Sequence, residues 1–273
     1  MRLAHDVVGS DAPEAPEVWI LHGILGSKRN WRGFARQLAQ ARPDLRLVLP
    51  DLRCHGDSGS GTPPHTLAAC VDDLEALAAT RPTAPAALVG HSFGGKVVLA
   101  WHARHPALPV WVLDAVPGAV DLEAPGVRDD PEDVLKVLDA IGRVPLPVPD
   151  FESLRTQLAA EGLSPMLAAW MTTNLVRGEG GLVWRLDLGG VRALLADYAC
   201  TDLWPAVDAG PGEVHLVRAL RSSRWTPEVL ARADAATARP GVHLHGLQAG
   251  HWVHTDAPDA LQKLLAGGLP RQA

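Results

Sequence analysis

A doubly wound α/β fold on a mostly parallel sheet is predicted by three features of this 273-residue sequence. Short runs of β-branched residues and leucine alternate with longer stretches of helical spacing. The runs lack polar alternation, which suits strands covered on both faces, as in a parallel sheet. Most of them end in glycine or aspartate, the punctuation of strand ends that gather functional groups at the sheet's carboxyl edge.

The elements follow in chain order. Residues 18–21 read as a strand leading into His22-Gly23. Asn30 is placed to cap a helix through Ala41, in which Trp31, Phe34, Ala35 and Leu38 recur on one face. Residues 46–49 form the next strand, running into Pro50-Asp51, and residues 66–79 the next helix. Residues 86–89 run into Gly90, residues 93–105 read as helix, and residues 110–113 form a strand ending at Asp114. After a long interval come strand 214–217, a helix opened by Thr226-Pro227-Glu228, strand 242–247 toward Gly250-His251, and a last helix near Asp256-Ala257-Pro258. Proline at a helix start costs nothing, because its missing amide would be unpaired there.

Between about residues 117 and 209 no strand is expected. Breaks at Pro125-Gly126, 145–149 and 178–181 separate amphipathic helical stretches. The interval is too long for a plain loop, and the strand pattern resumes directly after it, so it reads as a helical insertion covering a pocket.

Composition narrows the function. With 47% hydrophobic and 21% charged residues the chain is an ordinary folded one. The 25 basic residues are mixed evenly with 31 acidic ones for a net charge of -6, which argues against a nucleic-acid surface, since phosphate binding needs a clustered basic face. No apolar run approaches the roughly 20 residues of a membrane span. The polar N-terminus has no signal or transit character, so a cytoplasmic location is expected. The three cysteines, Cys54, Cys70 and Cys200, indicate neither a disulfide framework nor a paired-cysteine metal site and are expected to be buried free thiols. Nine Trp against three Phe and one Tyr is an unusual skew.

The most informative segment is Gly90-His91-Ser92-Phe93-Gly94, set between an apolar strand and a helix. A strand-to-helix turn this tight strains its central residue and brings the positions two to either side against neighbouring backbone, where only glycine fits. Ser92 is thereby displayed with a helix N-terminus beneath it.

With this elbow in place, the chain resembles the α/β-hydrolases. Leu21-His22-Gly23-Ile24-Leu25-Gly26-Ser27 resembles that family's oxyanion loop, Asp51 through Ser58 its next loop, and Ala249-Gly250-His251-Trp252-Val253-His254 its histidine loop. More narrowly, the combination is similar to small bacterial acyl-ester esterases and their mitochondrial relatives, which usually carry Asn at the position of Cys54. The resemblance implies a core of residues 1–116 and 210–273, with a helical cap of 117–209 inserted after the strand that the family counts sixth.

A serine hydroxyl needs a base, and His251 sits where this fold presents one. Of the twelve histidines, His254 reads as an exposed loop residue, and His22, His55 and His91 as loop supports. The family most often carries its acid on the loop that here reads 218–225, which holds no Asp or Glu. Asp114 ends the alternative strand, in the place used by the esterase group, with Pro117 three residues on; otherwise Asp114 simply caps a strand, and Asp234 and Glu228 are the fallback acids. The order Ser92, Asp114, His251 is that of nucleophile, acid and base in this fold. The backbone amides of Ile24 and Phe93 are the implied oxyanion donors.

The implied function is a serine esterase acting through an acyl-enzyme on short to medium acyl esters or thioesters, small molecules that need no metal or cofactor. Other chemistry on the same triad, such as C-C bond cleavage, lactone opening or perhydrolysis, stays open, as does a non-catalytic binding protein. One or two of the tryptophans in the insertion, Trp170, Trp184 and Trp204, are expected to line an apolar acyl pocket.

Overall fold

The computed structural model describes residues 1–123 and 133–271, so the Pro125-Gly126 break lies outside the described residues. Seven strands form one sheet in the order β1-β3-β2-β4-β5-β8-β9. They are β1 (His5–Gly9), β2 (Glu17–Leu21), β3 (Arg46–Pro50), β4 (Pro85–His91), β5 (Val110–Leu113), β8 (Val214–Ala219) and β9 (Val242–Leu247). All pairings in this sheet are parallel except β1 with β3. The strand that the family counts sixth is the fifth along this chain.

The apolar runs form strands because both faces are covered. In β2, Val18 and Ile20 join the core on one face, while Trp19 and Leu21 join the core on the other. This two-residue alternation repeats in β3 and β4. Each fully buried leucine or valine contributes about 1.5–3 kcal/mol.

Helices α1 (Lys28–Ala41), α2 (Leu67–Ala78) and α3 (Phe93–Arg104) fall where the spacing places them. Asn30 does not cap α1. Ser27 is the N-cap, and Asn30 sits one turn inside, its side chain accepting the Ser27 amide at 2.7 Å. Strand β1 is an addition to the sequence reading: its half-exposed, alternating residues mark an edge strand rather than a covered run.

After β5 come α4 (Val134–Arg143), α5 (Phe151–Ala160) and α6 (Pro165–Met171). An antiparallel hairpin of β6 (Leu175–Gly178) and β7 (Gly181–Trp184) follows, then α7 (Leu188–Cys200) and α8 (Trp204–Asp208). The hairpin corrects the expectation of a strand-free region; two glycines of positive φ, Gly180 and Gly181, turn it. Leu138, Leu154 and Leu194 of these helices share one apolar cluster with Trp19 and Val112 of the sheet. Lys96 of α3 is fully buried and donates to the carbonyls of Tyr198 and Thr201 at the end of α7, at 2.7 and 2.8 Å.

The chain closes with α9 (Pro227–Ala236), α10 (Val253–Asp256) and α11 (Pro258–Gly268). Cys54 and Cys70 are buried as expected, whereas Cys200 is exposed at the last position of α7. Among the described residues, no helix is long and apolar enough to cross a membrane.

Candidate active site

Ser92 sits between β4 and α3 with φ 52° and ψ -116°, a conformation L residues avoid. Two close approaches enforce it. A Cβ on Gly90 would stand 2.1 Å from the Gly94 carbonyl oxygen, and one on Gly94 would stand 2.6 Å from that of His22. The turn closes only with glycine at both positions. The Ser92 amide donates to the Leu113 carbonyl at 2.9 Å, tying the turn to β5.

Asp114, directly after β5, is fully buried and also has positive φ, 44°. Its Oδ2 lies 2.8 Å from His251 Nδ1. Its Oδ1 accepts the Ala219 amide at 3.0 Å and the Trp225 indole N–H at 2.8 Å. Burial alone would raise the pKa of this carboxyl, but the hydrogen bonds from His251 and the Ala219 amide and the attraction of the imidazole outweigh it and hold it below the ordinary carboxylate value. The carboxylate-free loop after β8 thus supplies Trp225, which pins an acid carried on another strand. Sequence reasoning missed this residue; an aromatic with an N–H in the loop beside a buried acid was its one signal. The fallback carboxylates Asp234 and Glu228 both lie on α9, and the described contacts of His251 bring neither to it.

Ser92 and His251 face one cavity of about 620 Å³, within the ordinary range of small-molecule sites. Ile24 and Phe93 line it as well. The Leu25 amide donates to His55 Nε2 at 3.1 Å, which ties this loop to the loop after β3. His55 in turn donates Nδ1–H to the Arg53 carbonyl at 2.8 Å, and burial pushes its pKa down to about 3. His22 behaves alike, accepting the Leu52 amide at Nε2 and donating from Nδ1 to the Gly23 carbonyl. Both are neutral staples between the two loops, as the sequence implied. His91, also held neutral by burial, contacts the His251 carbonyl at 2.7 Å and so braces the backbone of the proposed base.

The cavity wall is largely apolar, aliphatic side chains such as Val137 and Leu167 alternating with aromatic ones. Trp170 packs edge-on against Trp252 at 4.5 Å between centroids, and Trp31 stacks on His254 at 4.2 Å. Of the three tryptophans of the insertion, Trp170 lines the cavity, whereas Trp184 pairs with Leu175 in the hairpin and Trp204 lies under the Arg232 guanidinium, 4.5 Å from its ring centroid. His254 is corrected. It lines the cavity rather than an exposed loop, and burial lowers its pKa to about 4. Its signal was unreadable in sequence because its stacking partner, Trp31, comes from α1.

Among the described residues, folding also brings together two sets of side chains that could hold a metal ion, of which sequence spacing gave no sign: Cys54 with His65 and Asp187, and Glu213 with His215 and His243. Both lie away from the residues that line the cavity.

Comparison with known proteins agrees with this architecture. The mouse sn-1-specific diacylglycerol lipase ABHD11 is 27% identical over 277 residues, covering 97% of this chain and 86% of the mouse protein. Lipase LipV of Mycobacterium tuberculosis is 31% identical over 220 residues, 77% of each chain. Among solved structures, a marine microorganism esterase superposes with a TM-score of 0.81 at 21% identity, covering 98% of this chain and 99% of that one. A thioesterase domain from the curacin biosynthetic pathway superposes at 0.71 with 23% identity, covering 96% and 94%. These likenesses, at low identity, concern the fold. The family model described as "Alpha/beta hydrolase family" matches residues 20–263, and the chain therefore belongs to the alpha/beta hydrolase family.

Proposed function

We propose that this protein is a serine ester hydrolase in which Ser92 is the nucleophile, His251 the base and Asp114 the acid. The observation that carries the reading is the buried Asp114 carboxylate, 2.8 Å from His251 Nδ1, beside a strained serine that opens on the same apolar cavity. Relatives named as lipases support ester chemistry.

In this mechanism His251 Nε2 takes the Ser92 proton as Oγ adds to the ester carbonyl carbon. The carbonyl electron pair moves to oxygen, where the amides of Ile24 and Phe93 and the N-terminus of α3 stabilise the charge. The imidazolium, steadied by Asp114, returns its proton to the leaving alcohol as the tetrahedral carbon collapses to an acyl-enzyme. Water repeats the sequence and frees the acid. The tight elbow serves this chemistry because it turns Ser92 into the cavity while the Phe93 amide, at the first position of α3, needs no intrahelical partner.

The substrates in this reading are esters or thioesters of short to medium acyl chains, the acyl group lying against Trp170, Trp252 and Val137. Residues 117–209 act as a cap over the core of 1–116 and 210–273. A panel of p-nitrophenyl esters of rising chain length tests the reading. Wild type is expected to hydrolyse at least one ester about 10³-fold or more faster than Ser92→Ala. Equal rates on every ester would remove the enzymatic reading and leave a ligand-binding protein.

A further inference from the structure

The loop after β3 and the start of α7 come together at one place outside the cavity. Cys54 has φ 65°, a turn fixed from both sides: its amide donates to the Gly59 carbonyl at 2.7 Å, and its carbonyl accepts the Asp187 amide at 3.0 Å. The turn aims Sγ to within 3.4 Å of His65 Nδ1. Asp187, the N-cap of α7, accepts the Gly190 amide on Oδ1 at 3.0 Å. Gly190 leaves room for the thiol, since a Cβ there would stand 2.3 Å from Sγ. The sulfur, the imidazole nitrogen and a carboxylate oxygen all lie within 4.8 Å of one another.

We infer that Cys54, His65 and Asp187 form a site for a borderline-soft divalent cation, zinc above all, that ties the loop after β3 to α7. Tetrahedral zinc with a sulfur at about 2.3 Å and an imidazole nitrogen at about 2.0–2.1 Å sets those two ligands about 3.6 Å apart. The 3.4 Å between Cys54 and His65 matches it with the side chains where they stand. Thiolate, imidazole and carboxylate are also a donor set that selects zinc over magnesium or calcium. Three protein ligands leave the fourth position to water.

Binding requires a thiolate. Without metal, burial and the Asp187 charge push the Cys54 pKa up to about 12, so the thiol is protonated at neutral pH. The zinc–sulfur bond therefore forms as the S–H bond breaks, and the proton leaves to water. Two unit charges from thiolate and carboxylate balance the cation.

The second set fits less well. His215 and His243 are stacked 4.5 Å apart with planes 16° from parallel, so their in-plane lone pairs run side by side instead of converging. It serves as an internal control. The Cys54 site is also placed to matter: its loop carries His55, which holds the Leu25 amide, and α7 carries Leu195 and Tyr198 of the cavity wall. The inference does not depend on the hydrolase reading.

The test is a cobalt(II) titration of the reduced, chelator-treated full-length protein, read by the thiolate-to-cobalt charge-transfer band that histidine and carboxylate ligands do not give. The band should saturate at one equivalent, vanish in Cys54→Ser, and persist in Cys70→Ser, in Cys200→Ser and in the His215→Ala/His243→Ala pair. Added zinc should bleach it. Asp187→Asn keeps a competent N-cap; losses around a metal's ligands alone cost about tenfold or more in affinity, so its cobalt affinity should fall at least that far. Zinc should raise the melting temperature of wild type and not that of Cys54→Ser. Absence of the band in wild type, its survival in Cys54→Ser, its loss in Cys200→Ser, or unchanged affinity in Asp187→Asn would each overturn the site. Should Cys54→Ser not fold, the wild-type titration and His65→Ala decide.

Discussion

Trp225 offers a sharp test of how the acid is held. Trp225→Phe keeps most of the buried aromatic volume but removes the indole N–H that lies 2.8 Å from Asp114 Oδ1. That carboxylate would keep the Ala219 amide and His251 and lose one of three described donors. A hydrogen bond to a buried charge contributes about 1.5–3 kcal/mol, and a tenfold rate change corresponds to about 1.4 kcal/mol. If half or more of the interaction is felt in the transition state, where Asp114 must face an imidazolium, kcat falls about fourfold to a hundredfold, with KM little changed. The Asp114 pKa should rise, because the lost donor favoured its ionised form. The assay is hydrolysis of the best ester from the panel, with circular dichroism to confirm folding. A double-mutant cycle with Asp114→Asn, itself expected to cost about 10⁴-fold, should show that Trp225→Phe has little further effect once the acid is gone. A kcat within twofold of wild type in well-folded Trp225→Phe, or full additivity with Asp114→Asn, would refute the claim that Trp225 positions the acid.

Two further outcomes follow from the cavity and its supports. The folded-state pKa of His55, about 3, lies below its ordinary value of about 6.5, so as pH falls the unfolded chain takes up a proton that the folded one refuses. This stabilisation is complete above about pH 7 and is lost between about pH 6.5 and 3, amounting to about 2 kcal/mol by pH 5 for this residue alone. Urea unfolding at pH 7 and 5 should show at least that loss, and a His55→Gln variant with an undiminished slope would assign it elsewhere. Trp170→Ala should move chain-length preference toward longer acyl groups, with selectivity changing by about fourfold per methylene, the value of about 0.8 kcal/mol per buried CH₂. Trp184→Ala should leave preference untouched, and an unmoved profile in Trp170→Ala would confine Trp170 to packing.

The elbow was legible in the sequence because its sterics permit so few residues. Gly90 and Gly94 face backbone oxygens at distances no side chain tolerates, and that demand is written as two glycines around a serine. The covered strands were equally plain. What escaped shares another property, dependence on distant partners. His254 looks like a loop residue until Trp31 stacks on it, and Trp225 looks inert until β5 brings Asp114 beneath it. Cys54, His65 and Asp187 meet only because α7 begins where the loop after β3 turns. Strand β1 was missed for a different reason, since an edge strand alternates and Val7 is 45% exposed. The hairpin of β6 and β7 does leave a local mark, paired glycines between two valine-containing runs, but glycines set among helical stretches mark a helix break equally well.

The buried Lys96 limits how the cavity can change shape. Lys96 follows Ser92 by one helical turn, and its ammonium donates to the carbonyls of Tyr198 and Thr201 and lies 4.3 Å over the Tyr198 ring. Burial lowers its pKa only to about 8, so it is still a cation at pH 7, and pulling α7 away would strand that charge without acceptors, at a cost of several kcal/mol. Helix α3, which begins at the Ser92 turn, and the Tyr198 wall of the cavity are thereby clamped together. Displacing α7 would carry the cost of breaking this clamp, a cost that the parts of the cavity wall out of reach of Lys96 do not share.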